Sequence, residues 1–243
     1  MPCLVPFGSR NLDISFFVFR PTGVVVEELV EALKWFSFCA EDHGCAYSAL
    51  FKSIHGNLII WYGAWIKRSE EKKKLLNASL LSTLTKVSSL AILLDYGFFE
   101  PYAGESKDGH SYTKISTGDT VSMTAMSPNS HGVEALSYAC LAVLRSIYIK
   151  TEGVSSAICF QCNDKPMVAT MHVWKSLQSC YTWLLKSDPR KTIAPYVKHL
   201  AASVEYDVFR VVFVSNDDII NLRFLSPQEV LGTKEGTKEK QVL

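Results

Sequence analysis

The sequence has almost no net charge, because 25 basic residues face 24 acidic ones and leave a formal value of +1. Such a balance creates no general field that would attract nucleic acid or an anionic membrane surface. We therefore expect neither partner. The run KRSEEKKK (67–74) leaves nuclear import open, but its two glutamates make a solvated helical turn the simpler interpretation.

Targeting and membrane signals are also scarce. No charged region precedes an apolar run in MPCLVPFGSRNLDISFF (1–17), so we expect no secretory signal peptide and a cytoplasmic protein. The most apolar stretch, residues 75–99, is interrupted by polar residues such as Asn77, Ser79 and Lys86. These interruptions favour a buried helix over a membrane span.

Motifs that carry chemistry are missing as well. The six histidines show no metal-ligand spacing, and no G-x-S-x-G elbow occurs. The seven cysteines are irregularly spaced, which argues against a disulfide framework and for a reducing compartment. Cys159 and Cys162 have redox or zinc spacing, but on a strand residues i and i+3 point to opposite faces. The sequence therefore predicts no catalytic residue, no cofactor and no metal site.

One short segment, EDHGC (41–45), brings carboxylates, an imidazole and a thiol together. Nucleophilic catalysis is one interpretation, but a catalytic Cys and His usually come from distant segments. The end of a helix explains the same residues, since Gly44 suits a left-handed position and His43 is favoured by the helix dipole. We expect a helix C-terminus here.

The sequence does contain ample apolar material, with 48% hydrophobic and 12% aromatic residues. Its periodicity predicts a strand at 12–20 and then two runs of helix, hairpin, helix and strand, with one more strand at the end. The predicted fold class is α+β, with a mixed or antiparallel sheet packed by helices. Trp61 and Trp65 are assigned to the core, because no Lys or Arg interleaves them in NLIIWYGAW (57–65).

Two segments suggest an internal duplication. GCAYSALFKSIHGNLIIWYGAW (44–65) and GVSSAICFQCNDKPMVATMHVW (153–174) both begin with Gly and end with Trp. The alternative is that hairpins between helices look alike in any α+β protein. We expect an N-terminal half at 1–125 and a C-terminal half at 126–231, packed as one globular unit, and a disordered charged tail at 232–243.

Residues 102–119 form a polar segment. Within it, GESKDGHS (104–111) approaches a phosphate-binding loop, but His110 replaces the lysine and no periodic helix follows. A mobile surface loop is the simpler interpretation, and loops longer than about 12–15 residues are often functional. We therefore predict a protein-partner surface here. Its candidate residues are Tyr102, Glu105, Lys107, Asp108, His110, Tyr112 and Lys114.

Three segments carry a family resemblance: PCLVPFGSRNLDISFFVFRPT (2–22), SIHGNLIIWYGAWIKRS (53–69) and YAGESKDG (102–109). They resemble a plant-specific family of uncharacterised proteins that carry a single domain of unknown function. The resemblance covers most of the chain up to the tail and implies an intracellular plant protein. It brings no catalytic residue, ligand or fold with it.

A packed core without a recognisable reactive constellation favours a non-catalytic protein-interaction or adaptor module. The element order resembles that of small adaptor folds of the roadblock and longin type, and a homodimer or pseudo-dimer is left open. The alternative, from a different class, is a small-molecule-binding protein or an enzyme with a pocket between the two halves. Nucleic-acid binding is disfavoured by the balanced charge.

Overall fold

A computed structural model describes residues 2–8, 12–23 and 26–215 of the 243-residue chain. The described strands are β1 (Cys3–Pro6), β2 (Leu12–Pro21), β3 (Cys45–Ser53), β4 (Ile59–Ile66), β5 (Ala91–Ser106), β6 (Tyr112–Ile115), β7 (Thr120–Pro128), β8 (Val154–Cys162), β9 (Val168–Trp174) and β10 (Ala201–Val214). The helices are α1 (Glu27–Asp42), α2 (Glu70–Leu84), α3 (Gly132–Val143), α4 (Leu177–Ser187), α5 (Pro189–Thr192) and α6 (Ala194–Val197). A 3₁₀ turn at Thr85–Val87 follows α2, and a π-helical turn at Leu144–Tyr148 continues α3.

Eight strands form a closed antiparallel barrel in the order β10-β3-β4-β2-β5-β8-β9-β7. The predicted α+β class with an antiparallel sheet is confirmed, but closure of that sheet into a barrel was not predicted. Closure depends on two ladders between strands that are distant in sequence, β5 with β8 and β10 with β3. Local hydrophobic periodicity says nothing about such pairings, because it reports only which face of a strand is buried.

The strands alternate between the barrel interior and the surface that the helices cover. Phe16 and Tyr62 pair across β2 and β4 and lie in the interior cluster, whereas their neighbours Phe17 and Trp61 pair on the outer face. Helices α1 and α2 cover the outer face of β2–β4, and α3, α4 and α6 cover that of β7–β9. The barrel therefore separates one interior core from two outer cores.

Gly63 makes the tryptophan packing on β4 work. A Cβ at this position would lie 2.4 Å from ring atoms of Trp61 and 3.1 Å from Nε1 of Trp65. Both indoles are fully buried and donate hydrogen bonds, Trp61 to Ser37 Oγ at 2.8 Å and Trp65 to Ser15 Oγ at 2.7 Å. The core assignment of the two tryptophans is thus what the structure shows.

The prediction of a mobile loop at 102–119 is wrong. Strand β5 continues to Ser106 beside β8, and β6 pairs with β1 in a separate two-stranded sheet. Cys3, Val5 and Ile115 from that small sheet are completely buried in the interior cluster, so the sheet closes one end of the barrel. Strand pairing satisfies the backbone here, so a segment with mostly polar side chains still forms ordered structure.

The predicted boundary between the halves, after residue 125, falls inside β7 (Thr120–Pro128). The division at that position remains a prediction. The tail at 232–243 lies outside the described residues.

The basic segment 67–74 is only partly solvated. Lys72 and Lys74 are exposed, but Lys73 is 8% exposed and its Nζ lies 3.1 Å from Oδ1 of the buried Asp13. This ion pair ties α2 to the start of β2. The expectation of a purely solvated helical turn is therefore wrong for Lys73.

Candidate functional site

Two cavities lie on opposite faces of the β7–β10 strand pair. On β7, Met123 and Ala125 line the inner cavity only, whereas Thr124 between them lines both. On β10, Glu205 and Asp207 line the inner cavity, Val204 lines the outer one, and Tyr206 lines both. We call the inner space the barrel mouth and the space under the helices the outer cavity. Because successive side chains of a strand point to opposite faces of the sheet, the two cavities are lined mostly by different residues.

The outer cavity has a volume of about 650 Å³ and lies between the outward face of β7, β9 and β10 and the helices α3 to α6. The surface that lines it is mostly apolar, although six of its sixteen residues carry a hydroxyl, imidazole or amine group. The lining residues are Thr124, Met126, Cys140, Val143, Tyr148, Thr170, His172, Trp183, Leu184, Pro189, Ile193, Ala194, Val197, Lys198, Val204 and Tyr206.

His172 of β9 is the most buried titratable group of this cavity, with 1% of its surface exposed. Its Nδ1 lies 3.2 Å from Ser122 Oγ, and Trp174 Nε1 donates to the same Oγ at 2.9 Å. An indole N–H can only donate, so Ser122 accepts that bond and its own proton is available for His172 Nδ1. This arrangement favours the imidazole tautomer with its proton on Nε2.

Aromatic rings surround this imidazole. The Tyr148 ring stacks on His172 with centroids 3.5 Å apart and planes inclined by 17°. Tyr148 in turn lies 5.1 Å from the Trp183 ring, which lies 5.5 Å from Trp174. Tyr148 ends the π-helical turn, a feature that occurs frequently at functional sites. The rings give the cavity flat surfaces suited to a flat molecule.

Burial keeps the titratable groups of the outer cavity neutral. It lowers the pKa of His172 from 6.5 to about 3, so the imidazole is uncharged at pH 7. Burial also raises the pKa of the Cys140 thiol to about 12 and the pKa values of the Tyr148 and Tyr206 hydroxyls. At neutral pH the exposed Lys198 is the charged residue of the lining.

The barrel mouth has a volume of about 420 Å³ and lies at the end of the barrel where the β3–β4 and β8–β9 turns meet. Its deeper surface is apolar and includes Phe16, Phe99 and Phe209. Its entrance carries three acidic side chains and His55, whose Nε2 is hydrogen-bonded to the Tyr181 hydroxyl. The acidic residues are Asp95, Glu205 and Asp207.

None of the seven residues predicted as a partner surface lines either cavity. The Tyr102 hydroxyl donates to Ser137 O at 3.1 Å, and His110 stacks on Tyr112 with ring centroids 4.9 Å apart. Lys107 donates to Thr151 O, and Asp108 lies 3.6 Å from His110. Glu105, Lys107, Asp108, His110 and Lys114 are exposed. Their role in binding a partner remains a prediction.

The predictions for the cysteine pair Cys159 and Cys162 and for the segment 41–45 are confirmed. Cys162 lies in the interior cluster and Cys159 in the outer one, so the two thiols are on opposite faces of β8. Helix α1 ends at Asp42, and Gly44 follows with a φ of +82°. Among the described residues, no group of three His, Cys, Asp or Glu side chains is placed to hold a metal ion.

The sequence did not identify His172. It lies in MVATMHVW, which periodicity predicts as an ordinary buried strand, and its partners Ser122 and Tyr148 come from other elements. The signal that was available is a histidine flanked directly by Met171 and Val173 on a predicted strand.

A comparison with known protein families matches the part of the chain that contains the outer cavity. Residues 97–209 match the model of a domain of unknown function, DUF7392. This confirms the resemblance to a family with such a domain over those residues, and restriction to plants remains a prediction. All lining residues of the outer cavity fall between 124 and 206, within the matched region. No curated protein matches the sequence.

Solved structures share the fold over most of the chain. An anthrone oxidase-like protein has a TM-score of 0.69 at 14% identity and covers 87% of this chain and 95% of its own. A putative monooxygenase from Fusobacterium nucleatum has a TM-score of 0.60 at 10% identity and covers 85% and 95%. A heme-binding protein from Thermus thermophilus has a TM-score of 0.51 at 9% identity and covers 87% and 93%.

These likenesses correct the expected function. The prediction of a non-catalytic interaction or adaptor module is wrong, because the solved structures that share this fold include an anthrone oxidase-like protein, a putative monooxygenase and a heme-binding protein. Among the described helices, none is both long and apolar enough to cross a bilayer.

Proposed function

We propose that this protein binds a flat, uncharged and largely apolar organic molecule in the outer cavity. The observation that carries the proposal is a fully buried, neutral imidazole, His172, in a cavity of about 650 Å³ with aromatic walls. Ligand sites in proteins are typically apolar spaces of about 300–1,000 Å³ with a few placed polar groups, and this cavity matches that description.

The electrostatics support an uncharged ligand. An isolated charge in this cavity would lose its hydration, and the neutral Tyr148, His172 and Tyr206 would not compensate it. A flat ring system would instead contact Tyr148 and Trp183, and a polar atom on its edge would meet a hydrogen-bonding group on β9 or β10. The anthrone oxidase-like protein and the putative monooxygenase that share this fold support this class of function.

Binding is better supported than proton abstraction. A general base works best when its pKa lies near the operating pH, and burial holds the pKa of His172 at about 3. Its Nδ1 also faces Ser122 Oγ at 3.2 Å. In the free protein His172 is therefore a hydrogen-bonding group of the cavity and a very weak base.

The outer cavity does not fit a heme. An axial histidine needs a ring nitrogen that can reach the iron, and the heme carboxylates need cations. The His172 ring is 1% exposed, with Tyr148 against one face and Ser122 at Nδ1. Among the described residues of the lining, Lys198 is the one lysine or arginine. A smaller organic molecule without carboxylates suits these residues better.

We further propose that the barrel consists of two similar halves, of which only the second contains the outer cavity. The run β2-α1-β3-β4-α2-β5 has the sheet order β5-β2-β4-β3, and the run from β7 to β10 has the equivalent order β10-β7-β9-β8. In the first run, Phe36, Trp61 and Trp65 fill the space between sheet and helices and are at most 1% exposed. The second run leaves the outer cavity in the corresponding place.

The test is a titration with the flat, apolar, fluorescent probe 1-aminoanthracene. Ala194 lines the outer cavity, whereas Ala142 is exposed on α3. We expect saturable binding that Ala194→Phe reduces at least tenfold and Ala142→Phe leaves unchanged. A probe at 100 times its dissociation constant should stabilise the protein by about 2.7 kcal/mol. Equal binding by both variants would contradict the proposal.

A further inference from the structure

We propose that the barrel mouth is a second ligand site, selective for an organic cation with an apolar body. This site is distinct from the outer cavity, because Met123, Ala125, Glu205 and Asp207 line the barrel mouth alone. Thr124 and Tyr206 belong to the wall between the two cavities and line both. Its volume of about 420 Å³ suits a molecule of one or two rings.

The deeper part of the barrel mouth is hydrophobic and already closed to water on its far side. Phe16 lies at the centre of an aromatic group, 5.3 Å from the Phe99 ring and 5.6 Å from the Tyr62 ring. Phe209 and Met123 are at most 9% exposed and complete this surface. An apolar body placed here would bury its surface against ordered rings, which is favourable in proportion to the area removed from water.

The entrance carries an excess of negative charge over positive. Asp95 forms an ion pair with Lys165. Asp207 and Glu205 have no ion-pair partner among residues 2–8, 12–23 and 26–215, and both line the barrel mouth. Asp207 Oδ1 accepts a hydrogen bond from Val208 N at 2.7 Å, which fixes the position of its carboxylate. Two carboxylates without cations therefore stand at the opening of an apolar space.

This combination defines the ligand by charge complementarity. An ammonium group at the entrance would lie beside Glu205 and Asp207, while its apolar body would occupy the space lined by Phe16 and Phe99. Aromatic ring faces also attract cations. An anion of the same shape would meet like charge at the same position, and a neutral analogue would gain only the apolar contacts.

The experiment compares three probes with one aromatic body. Isothermal titration calorimetry measures the affinities for 1-naphthylmethylammonium, 1-naphthylmethanol and 1-naphthoate at pH 7. We expect the ammonium probe to bind roughly fivefold more tightly than the alcohol, as partly exposed ion pairs suggest, and the carboxylate probe to bind least. Raising the salt concentration should reduce the preference for the cation.

Matched variants locate the site. The double variant Glu205→Gln and Asp207→Asn should abolish the preference for the cation, and Glu71→Gln, an exposed residue of α2, should retain it. Both changes keep side-chain size, and circular dichroism checks that the variants fold. A preference that survives the double variant, or equal affinities for ammonium and alcohol, would overturn the proposal.

The two sites are separated by a third variant. Ala194→Phe fills the outer cavity and should leave binding of the ammonium probe unchanged. If Ala194→Phe abolishes that binding, the cation occupies the outer cavity and this inference is wrong. Failure of 1-aminoanthracene to bind would contradict the proposed function alone, because that probe is directed to the outer cavity.

Discussion

The buried imidazole of His172 makes the stability of this protein depend on pH in a defined window. In the unfolded chain a histidine has a pKa near 6.5, and in the folded protein burial lowers the pKa of His172 to about 3. Between these values the unfolded state binds a proton that the native state does not. The contribution of His172 to stability is therefore fully present above about pH 6.5 and is lost as the pH falls toward 3.

The size of the effect follows from the shift. Each pH unit inside the window costs about 1.4 kcal/mol, so lowering the pH from 7 to 5 should reduce the free energy of unfolding by about 2 kcal/mol through His172 alone. The groups that face the imidazole do not titrate in this range. Tyr148, Tyr206 and Cys140 have raised pKa values, and burial raises the pKa of the neighbouring Cys180 to about 11.

Urea unfolding at pH 7, 6 and 5, followed by tryptophan fluorescence, measures this dependence. His172→Gln should be less stable at pH 7, because it disturbs the contacts with Ser122 and Tyr148, but should lose about 2 kcal/mol less than the wild type on going to pH 5. His199→Gln, which changes an exposed histidine, should keep the wild-type slope. Identical slopes for the wild type and His172→Gln would refute the reasoning.

Two further predictions concern the first half of the barrel. Lys73→Met should lower the free energy of unfolding by about 3–5 kcal/mol, because it leaves the buried Asp13 without its cation, whereas the exposed Lys72→Met should change it little. Gly63→Ala should cost about 1–3 kcal/mol, since the new methyl group would overlap the Trp61 ring, and Gly8→Ala, with nothing within 4 Å, is the matched control. Urea unfolding checks both pairs, and a control as unstable as its partner variant would count against each explanation.

The sequence was most informative where burial repeats along one element. The β-branched and aromatic residues at 12–20 and the apolar run at 57–65 predicted strands that the structure contains as β2 and β4. The opposite faces of Cys159 and Cys162 also followed from strand geometry alone. In these cases the physical signal is local, because each side chain reports the environment of its own element.

The sequence was least informative where structure depends on contacts between distant elements. Nothing local to residues 102–106 shows that they extend β5 beside β8. The outer cavity likewise depends on how far α3 to α6 stand from the sheet, and a space between elements has no residue of its own. His172 was therefore predicted only as part of a strand, and its significance comes from Ser122, Trp174 and Tyr148.

Strand β10 has a consequence for how this protein can vary. Glu205 and Asp207 line the barrel mouth alone, whereas Tyr206 between them also lines the outer cavity. Adding or removing a single residue ahead of them would reverse the sheet face to which each side chain points. The tyrosine would then point into the barrel, and the two carboxylates would point under the helices, where Lys198 is the one lysine or arginine of the described lining. The length of the connection from α6 to β10, more than any one side chain, thus keeps an acidic compartment and a neutral one apart.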